Sequence, residues 1–428
     1  MNYIHTTDGE LHIEALSASS LAAQYPTPFY CYSANAIRTQ YQRFCAAFSD
    51  ISTLTCYALK VNSNQAILTL LANEGAGADV VSEGELRRAL AAGISADKIV
   101  FSGVAKTSAE IAFALKANIR CFNVESLSEL KEISRVATQL ELTANISLRI
   151  NPDVDAQTHA KISTGKSEDK FGIPYVQAIE VYQYAASLPA IAIVGIDMHI
   201  GSQIQHIAAF DLAIAKLVSL ITELAEYGIT IDHFDVGGGL GVQYQTSDKD
   251  ETTLLAQYAA IIHKYAKLID CQFVFEPGRF ITANAGVLIT RVVYVKPVQN
   301  KSFVIVDAAM NDLIRPTLYD AWHNIAPVLE PAANSAQHTV DVVGPVCESG
   351  DYLALDRQMP VVKASDLLAI YSAGAYAAVT ANTYNSRRLI AEILVDNDRS
   401  HVIRKSPSYQ ELMDLDSVPD WLHTADDS

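Results

Sequence analysis

From about residue 30 the chain alternates short apolar runs of strand character with longer segments whose apolar residues recur at helical spacing. The runs 53–59 (TLTCYAL), 78–81 (ADVV), 99–102 (IVFS), 120–124 (RCFNV), 145–150 (NISLRI), 193–199 (IVGIDMH), 231–236 (IDHFDV) and 272–276 (QFVFE) predict eight strands. Between them, Leu127, Leu130, Ile133, Val136 and Ala137 fall on one face of a helix over 126–140. Ser126 is its expected N-cap, with Glu129 three residues on as a capping-box partner. Segments 210–227 and 254–268 read the same way. Strand–helix alternation implies a parallel sheet, and eight units imply a (β/α)8 TIM-type barrel over an open doubly wound sheet.

After Phe280 the pattern changes. The runs 287–298 (VLITRVVYVKPV), 302–306 (SFVIV) and 339–343 (TVDVV) are strands without helices of the earlier kind. The fold class expected is therefore α/β, a barrel over 26–282 followed by a mainly antiparallel β domain. That second domain takes 283–428 and residues 1–25, whose strand-like run 11–15 is expected to pair into it.

Polar residues gather where a barrel enzyme works, at the C-terminal ends of its strands. Lys60 follows the first strand, Arg149 and Asn151 end the fifth, and His199 ends the sixth with Ser202 just beyond. The seventh ends in Gly237-Gly238-Gly239, the eighth in Glu276-Pro277-Gly278-Arg279. A desolvated lysine here can form a Schiff base, although a strand-end lysine also serves as a solubilising charge. His199 is either a structural histidine or a flat ring stacked on a cofactor. The run Gly-Gly-Gly-Leu-Gly is not a dinucleotide signature; it is either a tight turn or a phosphate cradle opening a helix. Glu276 and Arg279 pair with each other, or Glu276 keeps a heterocycle nitrogen protonated.

Composition narrows the classes. The chain of 428 residues carries a formal charge of −17 and no basic cluster, which argues against nucleic acid as a partner. No apolar run approaches the ~20 residues of a membrane span, and no signal peptide is visible at Met1–Leu16, so a cytoplasmic protein is expected. Six scattered cysteines (Cys31, Cys45, Cys56, Cys121, Cys271, Cys347) lack metal-ligand spacing, and no metal is expected.

Taken together the motifs resemble the pyridoxal-phosphate decarboxylases built on an alanine-racemase-type barrel. Tyr57-Ala58-Leu59-Lys60-Val61-Asn62 resembles their cofactor-lysine motif, and His199-Ile200-Gly201-Ser202-Gln203 their ring-stacking histidine and phosphate-binding serine. Gly237–Gly241 and Glu276–Arg279 resemble the phosphate loop and the pyridine-nitrogen segment. Gly344-Pro345-Val346-Cys347-Glu348-Ser349-Gly350-Asp351 resembles the acid-catalyst loop, and Ala373-Gly374-Ala375-Tyr376 with Tyr384-Asn385 the phosphate-contacting tyrosine segment. Arg315-Pro316-Thr317-Leu318-Tyr319, the Cys-Glu-Ser of the acid loop and the loop 161–172 are closest to the branch that decarboxylates meso-diaminopimelate. Departures occur at Glu83, Ala377, Ala378, Thr380, Asn382 and Arg388.

The resemblance implies pyridoxal 5′-phosphate as cofactor, bound through Lys60 and held by His199, Ser202, Gly237–Gly239, Glu276, Pro277, Gly278, Arg279 and Tyr376. It implies a substrate held by Arg279, Arg315, Tyr319, Glu348 and Tyr376, with Cys347 as proton donor. It also implies a homodimer whose Cys347 and Glu348 serve the neighbouring chain's site. The rival readings are decarboxylation of ornithine, arginine or carboxynorspermidine, amino-acid racemisation, and a non-catalytic regulator. Glu276, Arg315 and Glu348 disfavour the first two, and intact Lys60 and Cys347 the third.

Overall fold

The computed structural model describes residues 3–155, 170–245, 247–332 and 334–422. Most of the loop 161–172 lies outside the described residues.

All eight expected strands form, each within two residues of its expected bounds: Thr53–Ala58, Gly77–Val80, Ile99–Phe101, Cys121–Val124, Ala144–Asn151, Ile191–Asp197, His233–Asp235 and Gln272–Phe275. Each pairs in parallel with its successor, and the eighth closes on the first through Phe273↔Thr53. The expected barrel is thus the observed one. Its strands are buried on both faces, which is why they read as continuous apolar runs instead of alternating ones.

Helices cover the outside. Ser126 caps the helix Leu127–Gln139 by accepting from the Glu129 N–H, but the capping box is not completed. The Glu129 carboxylate turns instead to the Glu125 N–H at 3.0 Å and to Lys106 Nζ at 2.7 Å, because a buried ion pair competes for the same oxygens. Behind the eighth strand, Phe48 stacks on Phe275 with ring centroids 4.4 Å apart, and Phe44 meets Phe275 edge-on at 5.5 Å. This aromatic block sets the depth of the strand that ends in Glu276.

The second domain is a mainly antiparallel sheet centred on the long strand Gly286–Pro297. Two of its pairings are parallel, Ser302–Val306 with Gln337–Val343 and Phe29–Ser33 with Ala391–Asp396. Phe29–Ser33 therefore lies in this sheet, not in the barrel that residues 26–282 were expected to form. Its five residues are all buried between neighbours on both sides, so burial alone does not reveal which sheet it joins. The N-terminal strands Ile4–Thr7, Glu10–Ile13 and Leu16–Ser17 make a small sheet of their own instead of entering the large one, with an isolated Glu10↔Leu329 bridge to the segment that follows the strand Ile325–Pro327.

The two domains meet above the barrel mouth. The Tyr376 N–H donates to the Val61 carbonyl at 2.8 Å, and Asn62 Nδ2 donates to the Gly374 carbonyl at 3.3 Å. Residues flanking Lys60 are thereby fixed to the segment that carries Tyr376. No helix among the described residues is long and apolar enough to cross a membrane.

Phe48→Ala should lower unfolding stability by about 3–5 kcal/mol, the usual cost of a deleted core aromatic, read from a urea denaturation midpoint. A loss below about 1 kcal/mol would show that the aromatic block does not brace the eighth strand.

Candidate active site

Lys60 lies in a short 3₁₀ turn, Leu59–Val61, at the end of the first strand. Its Nζ is 2.6 Å from Asp79 Oδ2, and Asp79, on the second strand, is fully buried. Burial opposes the ammonium, but Asp79 and Glu276 outweigh it and hold the lysine pKa above its ordinary value.

Glu276 ends the eighth strand, 5% exposed. It accepts from Ser102 Oγ and Asn123 Nδ2, both at 3.3 Å. It does not pair with Arg279, whose guanidinium donates to Tyr244 Oη at 2.7 Å and to Ser202 Oγ at 2.9 Å. Carboxyl oxygens of Asp197, Asp235 and Glu276 lie within 4.8 Å of one another. Burial first, then Asp235, Asp79 and Asp197, push the Glu276 carboxyl well above its usual range. Asp235 is pushed up to about 6, chiefly by burial.

His199, ending the sixth strand, accepts the Gly238 N–H on Nδ1 at 3.2 Å. Burial, Arg149 and Lys60 keep it neutral, so the ring proton sits on Nε2. Gly237 and Gly239 both have positive φ, +67° and +103°. A Cβ on Gly237 would press on the Met198 carbonyl, and one on Gly239 on the Gly201 carbonyl. No helix opens at this run. The next one begins at Glu251, capped by Asp250, so the expected helix dipole is not aimed at the glycines. The Gly237 N–H is bound by Asp235 Oδ1 at 2.9 Å. What the run supplies is room, a close approach of backbone that side chains would fill.

One cavity brings together Lys60, His199, Ser202, Gly237, Gly238, Gly239, Glu276, Pro277, Gly278, Arg279 and Tyr376. Beside it lies a second of about 400 Å³, which shares His199, Ser202, Arg279 and Tyr376 and adds Arg315 and Tyr319. Cys347 and Glu348 are not brought to either. Both are exposed on the loop between the strands Gln337–Val343 and Tyr352–Pro360. The loop is tied down nonetheless: the Cys347 N–H donates to Asn385 Oδ1 at 2.8 Å, and Thr317 Oγ1 donates to the Gly350 carbonyl at 2.6 Å.

Sequence reasoning missed Asp79, Asp197, Asp235, Tyr244 and His323. Asp79, Asp197 and Asp235 could have been found, since each is an acid inside an apolar strand (ADVV, IVGIDMH, HFDV) and such acids are seldom buried without a task. Tyr244 and His323 lie in loops and carry no such mark.

A carboxylate deep in one cavity with a lysine, and a glycine-walled cleft ending in arginines, defines a barrel enzyme that handles a small charged ligand. The residues fit a pyridoxal group. The buried Glu276 carboxyl, held up by three other acids, would gain from a cationic ring nitrogen beside it. The chain belongs to the pyridoxal-dependent decarboxylase family, whose pyridoxal-binding-domain model matches residues 34–283. Its curated relatives include the diaminopimelate decarboxylase of Zymomonas mobilis, 47% identical over 97% of this chain and 98% of the relative. The crystal structure of diaminopimelate decarboxylase from Helicobacter pylori complexed with L-lysine is similar with a TM-score of 0.88, at 43% identity over 93% of this chain and 98% of that one. The M. jannaschii enzyme in co-complex with L-lysine gives 0.92 at 36% identity, covering 99% of each chain.

His233 inside the barrel and His323 in the second domain are each pushed down to about 3, chiefly by burial. Both should remain neutral at pH 5 in nitrogen-15 spectra of the histidine rings. Their contribution to stability is complete above the ordinary histidine pKa of ~6.5 and is lost as pH falls towards 3. Protonation of either ring in the folded protein at pH 5 would contradict this.

Proposed function

We propose that this chain is a pyridoxal 5′-phosphate-dependent carboxy-lyase that converts meso-2,6-diaminopimelate to L-lysine and CO2. The observation carrying this is the polarity of the two adjacent cavities, with Lys60 among buried acids at one end and Arg279 and Arg315 at the other. The relatives named for this reaction, two with L-lysine bound, support the substrate.

The cofactor, when bound, supplies an electron sink for the pair left behind as CO2 departs. Lys60 Nζ would hold that group covalently, and Asp79, 2.6 Å away, would keep the lysine amine in place and help it hold or release a proton. Glu276, as a carboxylate, would keep a proton on the heterocycle nitrogen. His199 would lie against the ring, and Ser202, the glycine run, the Gly278–Arg279 backbone and Tyr376 would hold the phosphate. Arg279, Arg315 and Tyr319 grip the distal carboxylate, where a planar fork fixes register as well as energy. Ornithine-type substrates lack that carboxylate and would leave two buried guanidiniums unmatched.

The active unit in this reading is a homodimer. Cys347 Sγ delivers a proton to the substrate carbon, and Glu348 accepts the distal ammonium, both in the neighbouring chain's cavity. Their exposure in the single chain, on a loop pinned by Asn385 and Thr317, supports this assignment.

Purified protein given meso-diaminopimelate should release CO2 and L-lysine, and Lys60→Ala should release neither. Turnover by Lys60→Ala equal to wild type would end the proposal. Cys347→Ala should lower kcat by about 10²–10⁴-fold, the usual worth of a positioned proton donor. Mixing the two inactive variants should restore activity through hybrid dimers. Failure of the mixture to exceed either variant alone, under conditions where chains exchange, would place Cys347 outside a shared site.

A further inference from the structure

Arg279 and Arg315 are both buried, and no carboxylate among the described residues pairs with either. Tyrosines hold them instead. Tyr244 Oη accepts from Arg279, and the Arg315 guanidinium lies 4.9 Å from the centre of the Tyr244 ring. An acid beside either arginine would orient it but cancel the charge that an incoming carboxylate needs.

His323 solves this for Arg315. Its Nε2 lies 2.8 Å from Arg315 Nη1, and its Nδ1 lies 2.8 Å from the Tyr371 carbonyl. A carbonyl can only accept, so Nδ1 carries the proton and Nε2 presents a lone pair to the guanidinium. The imidazole is fully buried. The ring is fixed by the Tyr371 carbonyl and by edge-on contact with the Tyr244 ring at 5.7 Å, and its backbone by Arg357 donating to the His323 carbonyl at 2.9 Å. A neutral acceptor at one nitrogen aims the fork and leaves its charge whole.

We propose that His323, with Tyr244, is a positioning residue that holds Arg315 aimed into the cavity and thereby sets the requirement for a carboxylate at the end of the ligand remote from the reacting carbon. This rests on the decarboxylase reading and deepens it. Neither residue touches the reacting atoms; both act through an arginine.

The test uses the cofactor-loaded protein and two probes, L-lysine and 1,5-diaminopentane, which is the same diamine without the carboxylate. His323→Phe keeps a flat ring but has no acceptor. It should weaken L-lysine binding roughly ten- to a hundredfold by calorimetry, the scale of one charge-assisted hydrogen bond, and leave 1,5-diaminopentane binding unchanged. KM for meso-diaminopimelate should rise by a similar factor, with kcat falling far less. His323→Gln, which can offer an oxygen near the Nε2 position, should recover much of the loss. Tyr244→Phe, which keeps the ring beside His323 and Arg315 but removes the hydroxyl to which both arginines donate, should weaken L-lysine selectively in the same way. The inference is overturned if His323→Phe or Tyr244→Phe weakens both probes equally, or weakens neither. Absence of wild-type turnover of meso-diaminopimelate would instead count against the decarboxylase reading, since the binding comparison stands without it.

Discussion

Four buried carboxyl groups, Asp79, Asp197, Asp235 and Glu276, converge at the C-terminal end of the barrel, and the rest of the site is arranged around that excess of negative charge. Two cations answer it directly. Lys60 pairs with Asp79, while Arg149 is bound to Glu125 at 2.8 Å and stands 3.9 Å from Asp197. In a low-dielectric setting such crowding is costly unless protons or further cations relieve it, and Asp197, Asp235 and Glu276 are all pushed up accordingly. A cationic ring nitrogen beside Glu276 would relieve the strain and in turn be kept protonated by it. Charge balance around one glutamate would favour an electron-poor heterocycle there.

The opposite end of the cavity has the opposite sign. Arg279 and Arg315 are buried among Tyr244, Tyr376 and His323, groups that accept hydrogen bonds or offer a ring face and are not carboxylates. A ligand with an amine reaching towards Lys60 and a carboxylate reaching towards the arginines fits both ends at once. The barrel makes this possible because its strand ends are rigid. Burial of the eighth strand against Phe44 and Phe48, and the bond between Tyr376 and Val61, fix the two ends relative to each other.

Much of this was legible in the sequence because the barrel strands are buried on both faces and announce themselves as apolar runs. Lys60, His199, the glycines and Glu276 then fall at their ends by counting. What was illegible depends on contacts through space. Glu129 looked like a capping residue but answers Lys106. Phe29–Ser33 looked like part of the barrel unit but completes the second sheet. The glycine run looked like a helix opening, yet the helix starts at Glu251. His323 was invisible because its role comes from Arg315 and Tyr371, 8 and 48 residues away in the chain.

The central claim is that one amine, Lys60, carries the cofactor beside Glu276. Borohydride reduction of the pyridoxal-phosphate-loaded protein, followed by digestion and mass spectrometry, tests it most directly. A pyridoxyl group fixed on Lys60 is the predicted result, whereas labelling of a different lysine with Lys60 unmodified would contradict the account.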